Sequence, residues 1–171
     1  IQPDAVVLVA TIRALKLHGG VALEDLGEEN VEAVAEGVEN LRKHIENVHQ
    51  FHLPVVVALN RFTGDTDAEI ACVQDKCDYL GVKVVPCNHW AEGGAGAEEL
   101  AHEVVDLVEN HQSDFRYLYN NEETLWNKIK TIAQTIYGAN DILAEQKLRD
   151  KIKDLQEAGY GHLPICMAKT P

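Results

Sequence analysis

The chain of 171 residues carries 15 lysine and arginine residues against 28 aspartate and glutamate residues, a formal charge of −13, with 46% apolar and 25% charged side chains. This is the composition of an ordinary folded protein with a core of useful size, and one compact unit is the default expectation. Phosphate contacts supply most of the affinity in nucleic-acid binding, so the acidic balance argues against DNA, RNA or an anionic membrane as partner. No apolar run approaches the ~20 residues a membrane helix requires, and no leader peptide is recognisable, which makes a cytoplasmic protein the expectation.

Any anionic ligand has to be met locally, by the cations near predicted strand ends: Arg13, Lys16, Arg61 and Lys169. The four cysteines, at 72, 77, 87 and 166, show no C-x-x-C spacing and read as reduced core thiols. The chain starts at Ile1, directly before a core-type run, and stops at Pro171 just after another. Both ends read as cuts in a longer polypeptide.

Residues Ala5 to Ala10 form a short Val/Leu run suited to a buried strand. Thr11 to Gly27, with Arg13, Lys16, His18 and the Gly19-Gly20 pair, reads as a less regular segment, a loop with room for a helical turn. Val31, Val34, Val38, Leu41, Ile45 and Val48 then recur at alternating spacings of three and four, which predicts an amphipathic helix. Pro54 opens a second strand, Val55-Val56-Val57-Ala58-Leu59-Asn60, that runs into Arg61 and Phe62. Thr66 and Glu69 fit a capping box, with Ile70, Val73, Cys77 and Leu80 following at helical spacing, so a helix is predicted over 67–80. A third strand, Val82 to Cys87, leads to a loop carrying Trp90, and Gly93, Gly94 and Gly96 precede a helix with Leu100, Val104, Leu107 and Val108.

The order βαβαβα implies an α/β fold, a parallel sheet with right-handed crossovers, over residues 1–112. The remainder, 113–171, reads as a helical appendage: one helix with Leu125, Ile129, Ile132 and Ile136, another with Leu148, Ile152 and Leu155, and a returning strand at Leu163 to Ala168.

Both Phe62 and Trp90 emerge where a covered parallel strand ends, and that carboxyl edge is where open α/β sheets bind ligands. Two readings stand side by side here: stacking on a flat heterocycle, or ordinary packing. Asn60 either reads a purine edge or caps a turn. The glycines at 93, 94 and 96 either receive an anion on backbone N–H groups or serve close packing, and they match neither G-x-G-x-x-G nor the phosphate-loop pattern G-x-x-x-x-G-K-[ST]. His49 and His52 have no partners with metal-ligand spacing, so no metal site is expected. Asp65, Asp67 and Glu69 near Phe62 are placed to orient ligand amines, or simply favour a helix N-terminus.

The strings PDAVVLVATIRALKLHGG, ENLRKHIENVHQFHLPVVVALNRFTGDTDAE, HWAEGGAGAEELA, KIKTIAQTIYGA and GYGHLPICMAKT closely resemble, in order, segments of the formate–tetrahydrofolate ligase family. The resemblance implies a three-layer, P-loop-NTPase-like fold and an ATP-dependent ligase of one-carbon metabolism that uses ATP with Mg²⁺, formate and tetrahydrofolate. Formyl phosphate is its intermediate, 10-formyltetrahydrofolate its product, and the enzyme is a homo-oligomer. Phe62 and Trp90 match the two aromatics that hold the folate ring in that family, with Gly93 and Gly94 letting backbone approach it. Asn60 and Arg61 would line the nucleotide or folate side, and Arg13, Lys16 and Lys169 would help neutralise phosphates. No catalytic residue is assigned. The family's phosphate loop lies upstream of the segment represented here, so the 171 residues alone are expected to be inactive. The alternative is a non-catalytic folate-binding or oligomerisation module.

Overall fold

The computed structural model describes residues 2–111 and 113–168. The chain divides into two compact units, Ile1–Phe115 and Arg116–Pro171.

In the first unit, β1 (Val6–Ala10), β2 (Val55–Asn60) and β3 (Val84–Cys87) form a parallel sheet in sequence order. β2 is apolar on both faces because both are covered. Val55, Val57 and Leu59 pack with α1 (Ile12–His18), α2 (Val31–His49) and α3 (Asp67–Asp78), while Val56 and Ala58 pack with Val85, Cys87 and Leu107 of α5 (Glu98–Asn110). The result is a helix–sheet–helix sandwich, in which consecutive strands advance across the sheet while their connecting helices stay on one face.

Several expectations are corrected. β1 is only half covered: Val7 and Val9 are exposed, because the α5 layer packs on β2 and β3. Thr11 to Gly27 is largely ordered as helix. Thr11 has extended backbone and accepts the Ala14 N–H on its hydroxyl at 3.1 Å, capping α1, and a 3₁₀ turn follows at Leu23–Asp25. β3 begins at Val84 because the Val82 N–H is bonded to the Cys77 carbonyl at 3.1 Å, finishing α3 instead of entering the ladder. Trp90 lies in a short helix, α4 (His89–Glu92), not a loop.

α1 lies hard against α2 because of Gly37, where an added Cβ would come within 1.9 Å of the Leu15 carbonyl oxygen. A fully buried ion pair joins three elements behind this contact. Lys16 Nζ of α1 is 2.9 Å from Glu69 Oε1 and donates to the Glu28 carbonyl at 2.9 Å. Glu69 also accepts the Asn30 N–H at 2.9 Å, at the start of α2, and the Thr66 N–H at 3.1 Å, closing the capping box of α3.

The second unit holds α6 (Leu125–Thr135), α7 (Gln146–Glu157) and a 3₁₀ turn at Tyr160–His162. Its centre is Lys128, fully buried, whose ammonium donates to the carbonyls of Asn121, Gly161 and Leu163 at 2.6, 2.7 and 3.1 Å, 5.7 Å from the Tyr119 ring centroid. The strand expected at Leu163 to Ala168 is absent. The Leu163 carbonyl is taken by Lys128 and the Ile165 N–H by the Tyr119 hydroxyl at 2.8 Å, so side chains satisfy the backbone that a neighbouring strand would have paired. Cys166 is accordingly exposed, not a core thiol; Cys77 and Cys87 are buried and Cys72 is partly so. No helix among the described residues is long and apolar enough to cross a membrane.

Candidate functional site

The carboxyl ends of three successive strands build one wall-to-wall cleft. Ala10 of β1 is in register with Leu59 of β2, and Asn60 of β2 with Cys87 of β3, so all three chains leave the sheet at the same edge. β1 passes through Thr11 into the first turn of α1, which carries Arg13; β2 leads to Phe62; β3 leads through Asn88 to Trp90 in α4. Arg13, Phe62 and Trp90, with Leu26, Gly27, Thr63, Gly64 and Asp65, line a cleft of about 280 Å³, close to the ~300 Å³ lower end of small-ligand pockets.

Phe62 is 39% exposed and Trp90 72%, large apolar surfaces left to solvent at the mouth of a cleft. Among the described residues they are not a stacked pair with each other; that geometry belongs to Phe51 and Phe115, 6.2 Å apart.

Local chemistry fixes each wall. The Phe62 N–H donates to Asp65 Oδ2 at 2.8 Å and the Asp65 N–H donates back to the Phe62 carbonyl at 3.0 Å, closing a tight turn that passes directly into the Thr66 cap of α3. On the other side the Ala91 and Glu92 N–H groups both donate to the Asn88 carbonyl at 2.9 Å, and Gly93 follows with φ +60°, a backbone favouring glycine. Behind α1, burial pushes the Glu69 carboxyl up, but the N–H groups of Asn30 and Thr66 and the Lys16 ammonium outweigh it and hold it below its ordinary value.

The Arg13 guanidinium has no hydrogen-bond or ion-pair partner among the described residues, and the residue is exposed at the cleft. The other expected site residues are elsewhere. Gly93 and Gly94 form the 3₁₀ turn behind Trp90 and do not line the cleft. Asn60 is the last residue of β2; the Arg61 N–H is taken by the Cys87 carbonyl at 3.0 Å, and its guanidinium pairs with Asp67 at 2.8 Å. Lys16 is corrected outright as a phosphate-facing cation, since its ammonium is sealed in the core against Glu69. Lys169 lies outside the described residues.

Sequence reasoning missed the Leu26-Gly27 wall, which only the packing of the 3₁₀ segment brings to the cleft. Larger depressions exist, one lined by Asp25, Glu28, Glu29, Glu32 and Glu36, one by Lys83 and the acids of α5, and one in the second unit where Arg149 lies over the Trp126 ring, but none of them lies at the strand ends. Among the described residues no group of three His, Cys, Asp or Glu side chains is arranged to hold a metal ion, and no ligand to a nucleotide's Mg²⁺ is assigned here.

Fold and cleft together define a three-layer parallel α/β protein with a cleft at the carboxyl edge of its sheet, the edge at which open α/β sheets bind ligands. The model of the formate–tetrahydrofolate ligase family matches residues 1–171. The chain is 55% identical over 170 residues to the formate–tetrahydrofolate ligase of Granulibacter bethesdensis, 99% of this chain and 30% of that protein. The enzymes of the same name from Sinorhizobium fredii and Pelagibacter ubique are 52% and 51% identical over the same span. The chain belongs to the formate–tetrahydrofolate ligase family, and it spans about 30% of the length of the curated relatives it matches.

Proposed function

We propose that this chain supplies the folate platform of a cytoplasmic, ATP-driven ligase that joins formate to tetrahydrofolate. In this reading formate is first phosphorylated to formyl phosphate. The N10 lone pair of tetrahydrofolate then displaces phosphate from the formyl carbon, with loss of the N10 proton, to give 10-formyltetrahydrofolate. Phe62 and Trp90 grip the bicyclic ring, and the unpaired Arg13 guanidinium meets an anion, either the departing phosphate or the carboxylate tail. The observation that carries the reading is that two exposed aromatics from adjacent strand ends line one cleft with an uncommitted cation.

The test is affinity for tetrahydrofolate in the intact protein. Ring–aromatic stacking is worth ~1–3 kcal/mol, so Phe62→Ala and Trp90→Ala should each raise Kd by about 5- to 150-fold. An unchanged Kd in both would end the platform reading. A second reading, a binding module without chemistry of its own, is favoured by the cleft lining, in which Arg13 and Asp65 are the sole ionisable side chains. Formyl transfer that survives Arg13→Ala with an unchanged rate would support it.

A further inference from the structure

Asp65 is the one acid in the cleft lining, and it is 8% exposed. Oδ2 accepts the Phe62 N–H at 2.8 Å. No other hydrogen bond or ion pair engages the carboxylate among the described residues. It is not sealed off either, because the enclosed side-chain oxygen left without a partner among the described residues is Asn47 Oδ1 and not an oxygen of Asp65. A carboxylate offers about four lone-pair sites, and turn closure uses one of them. Burying the rest without donors is costly, and the cleft is the side from which donors can arrive.

We infer that Asp65 reads the donor edge of the bound ring, accepting the 2-amino and N3 hydrogens of an aminopyrimidinone while its Oδ2 keeps Phe62 in stacking position. This rests on the folate-platform reading and adds to it the feature of the ring that is recognised. The same side chain then does two things that no aromatic can do. It orients the ring in its own plane, where stacking alone leaves rotation free, and it rejects flat heterocycles that present acceptors at that edge, because these would leave a buried carboxylate facing like charge density. Arg13, in the first turn of α1 after the neighbouring strand, stays free for the anionic part of the ligand. Cation and acid are not paired with each other within the cleft, so both remain available.

The experiment is calorimetric binding to the intact protein of two probes, folic acid and its 2-desamino-2-methyl counterpart, which keeps the bicyclic stack but lacks the amino donors. Hydrogen bonds to charged groups are worth enough for wild type to prefer folic acid by about tenfold to 150-fold. Asp65→Asn keeps an oxygen for the Phe62 N–H but puts an NH₂ where the second acceptor was. It should erase the preference, and it should weaken the desamino probe less than folic acid, because that probe keeps the N3 hydrogen but has no amino hydrogens to lose. Asp65→Ser, which can still accept from the turn N–H, provides a second variant should the first fold poorly, with the same expected loss of preference. If either variant keeps the preference, or loses both probes equally, Asp65 only holds Phe62 and the inference is overturned while the platform reading stands. If neither probe binds wild type, or if binding ignores Trp90→Ala, the platform reading itself fails and takes this one with it.

Discussion

Each compact unit encloses a lysine, and the surroundings of the two differ in kind. In the α/β unit Lys16 faces a carboxylate, Glu69, and through it touches the starts of α2 and α3. In the helical unit Lys128 faces three backbone carbonyls and an aromatic ring, with no acid among these contacts. A buried charge needs compensation in either case, but an ion pair can be switched off by protonation and a carbonyl cage cannot. The α/β unit thus keeps its titratable clamp next to the cleft walls, where Lys16 is one helical turn from Arg13 and Glu69 belongs to the cap that follows the Phe62 turn.

The comparison breaks most sharply by removing the cations. Lys16→Met leaves Glu69 buried without its counter-charge, a change that costs about 3–5 kcal/mol in comparable pairs. Chemical denaturation should show that loss in the α/β unit, read by exchange protection of the β2 amides. Lys128→Met orphans three carbonyls, two of them only partly enclosed. At about 1–3 kcal/mol for each group fully deprived of a partner, and less where water can enter, the expected loss is about 2–4 kcal/mol, confined to amides of α6 and α7. Equal loss of protection in both units from either substitution would show that the two lysines do not hold separate cores.

Acid sharpens the contrast. The Glu69 carboxyl is held below its ordinary value in the folded chain. The stability it contributes is therefore present above the unfolded value of about 4.3 and is lost as pH falls through the folded one. The gap between wild type and Lys16→Met should narrow over that acid window, whereas the gap for Lys128→Met should stay constant. In the helical unit the hydrogen bond from Lys130, helped by the Ile142 N–H, also lowers the Asp141 carboxyl, but that pair is exposed. High salt should remove its part and leave that of Glu69 in place. Titration of stability with and without 1 M salt separates them.

What could be read from the residues alone follows the range of the forces. The α2 stripe and the Thr66–Glu69 capping box depend on neighbours three and four positions away, and both are present in the fold. β2 and the ends of β2 and β3 were legible because a strand covered on both faces is apolar at every position. Lys16 read as a ligand cation because its acid partner is distant in sequence, and only the close approach of α1 to α2 at Gly37 brings it inside. Leu163 to Ala168 has the composition of a strand, but composition supplies no neighbour to pair with, and Tyr119 and Lys128 took its backbone groups first. Asp65 looked like one of several acids at a helix start until its turn bond and burial set it apart.

The smallest expected effect is chemical, and it separates the units by a thiol in each. Burial, with the nearby Asp78 charge adding to it, pushes the Cys77 thiol up to about 11, so at pH 8 only about one molecule in a thousand carries the reactive thiolate. Cys166, in the helical unit, is exposed. Iodoacetamide at pH 8 followed by peptide mapping should therefore modify Cys166 well before Cys77. Lys16→Met should accelerate Cys77 alone, since its modification requires the α/β unit to open and that substitution weakens the clamp at Glu69. Lys128→Met should leave Cys77 at its wild-type rate. A rise in Cys77 labelling with Lys128→Met would mean that the two lysine-centred cores do not open independently.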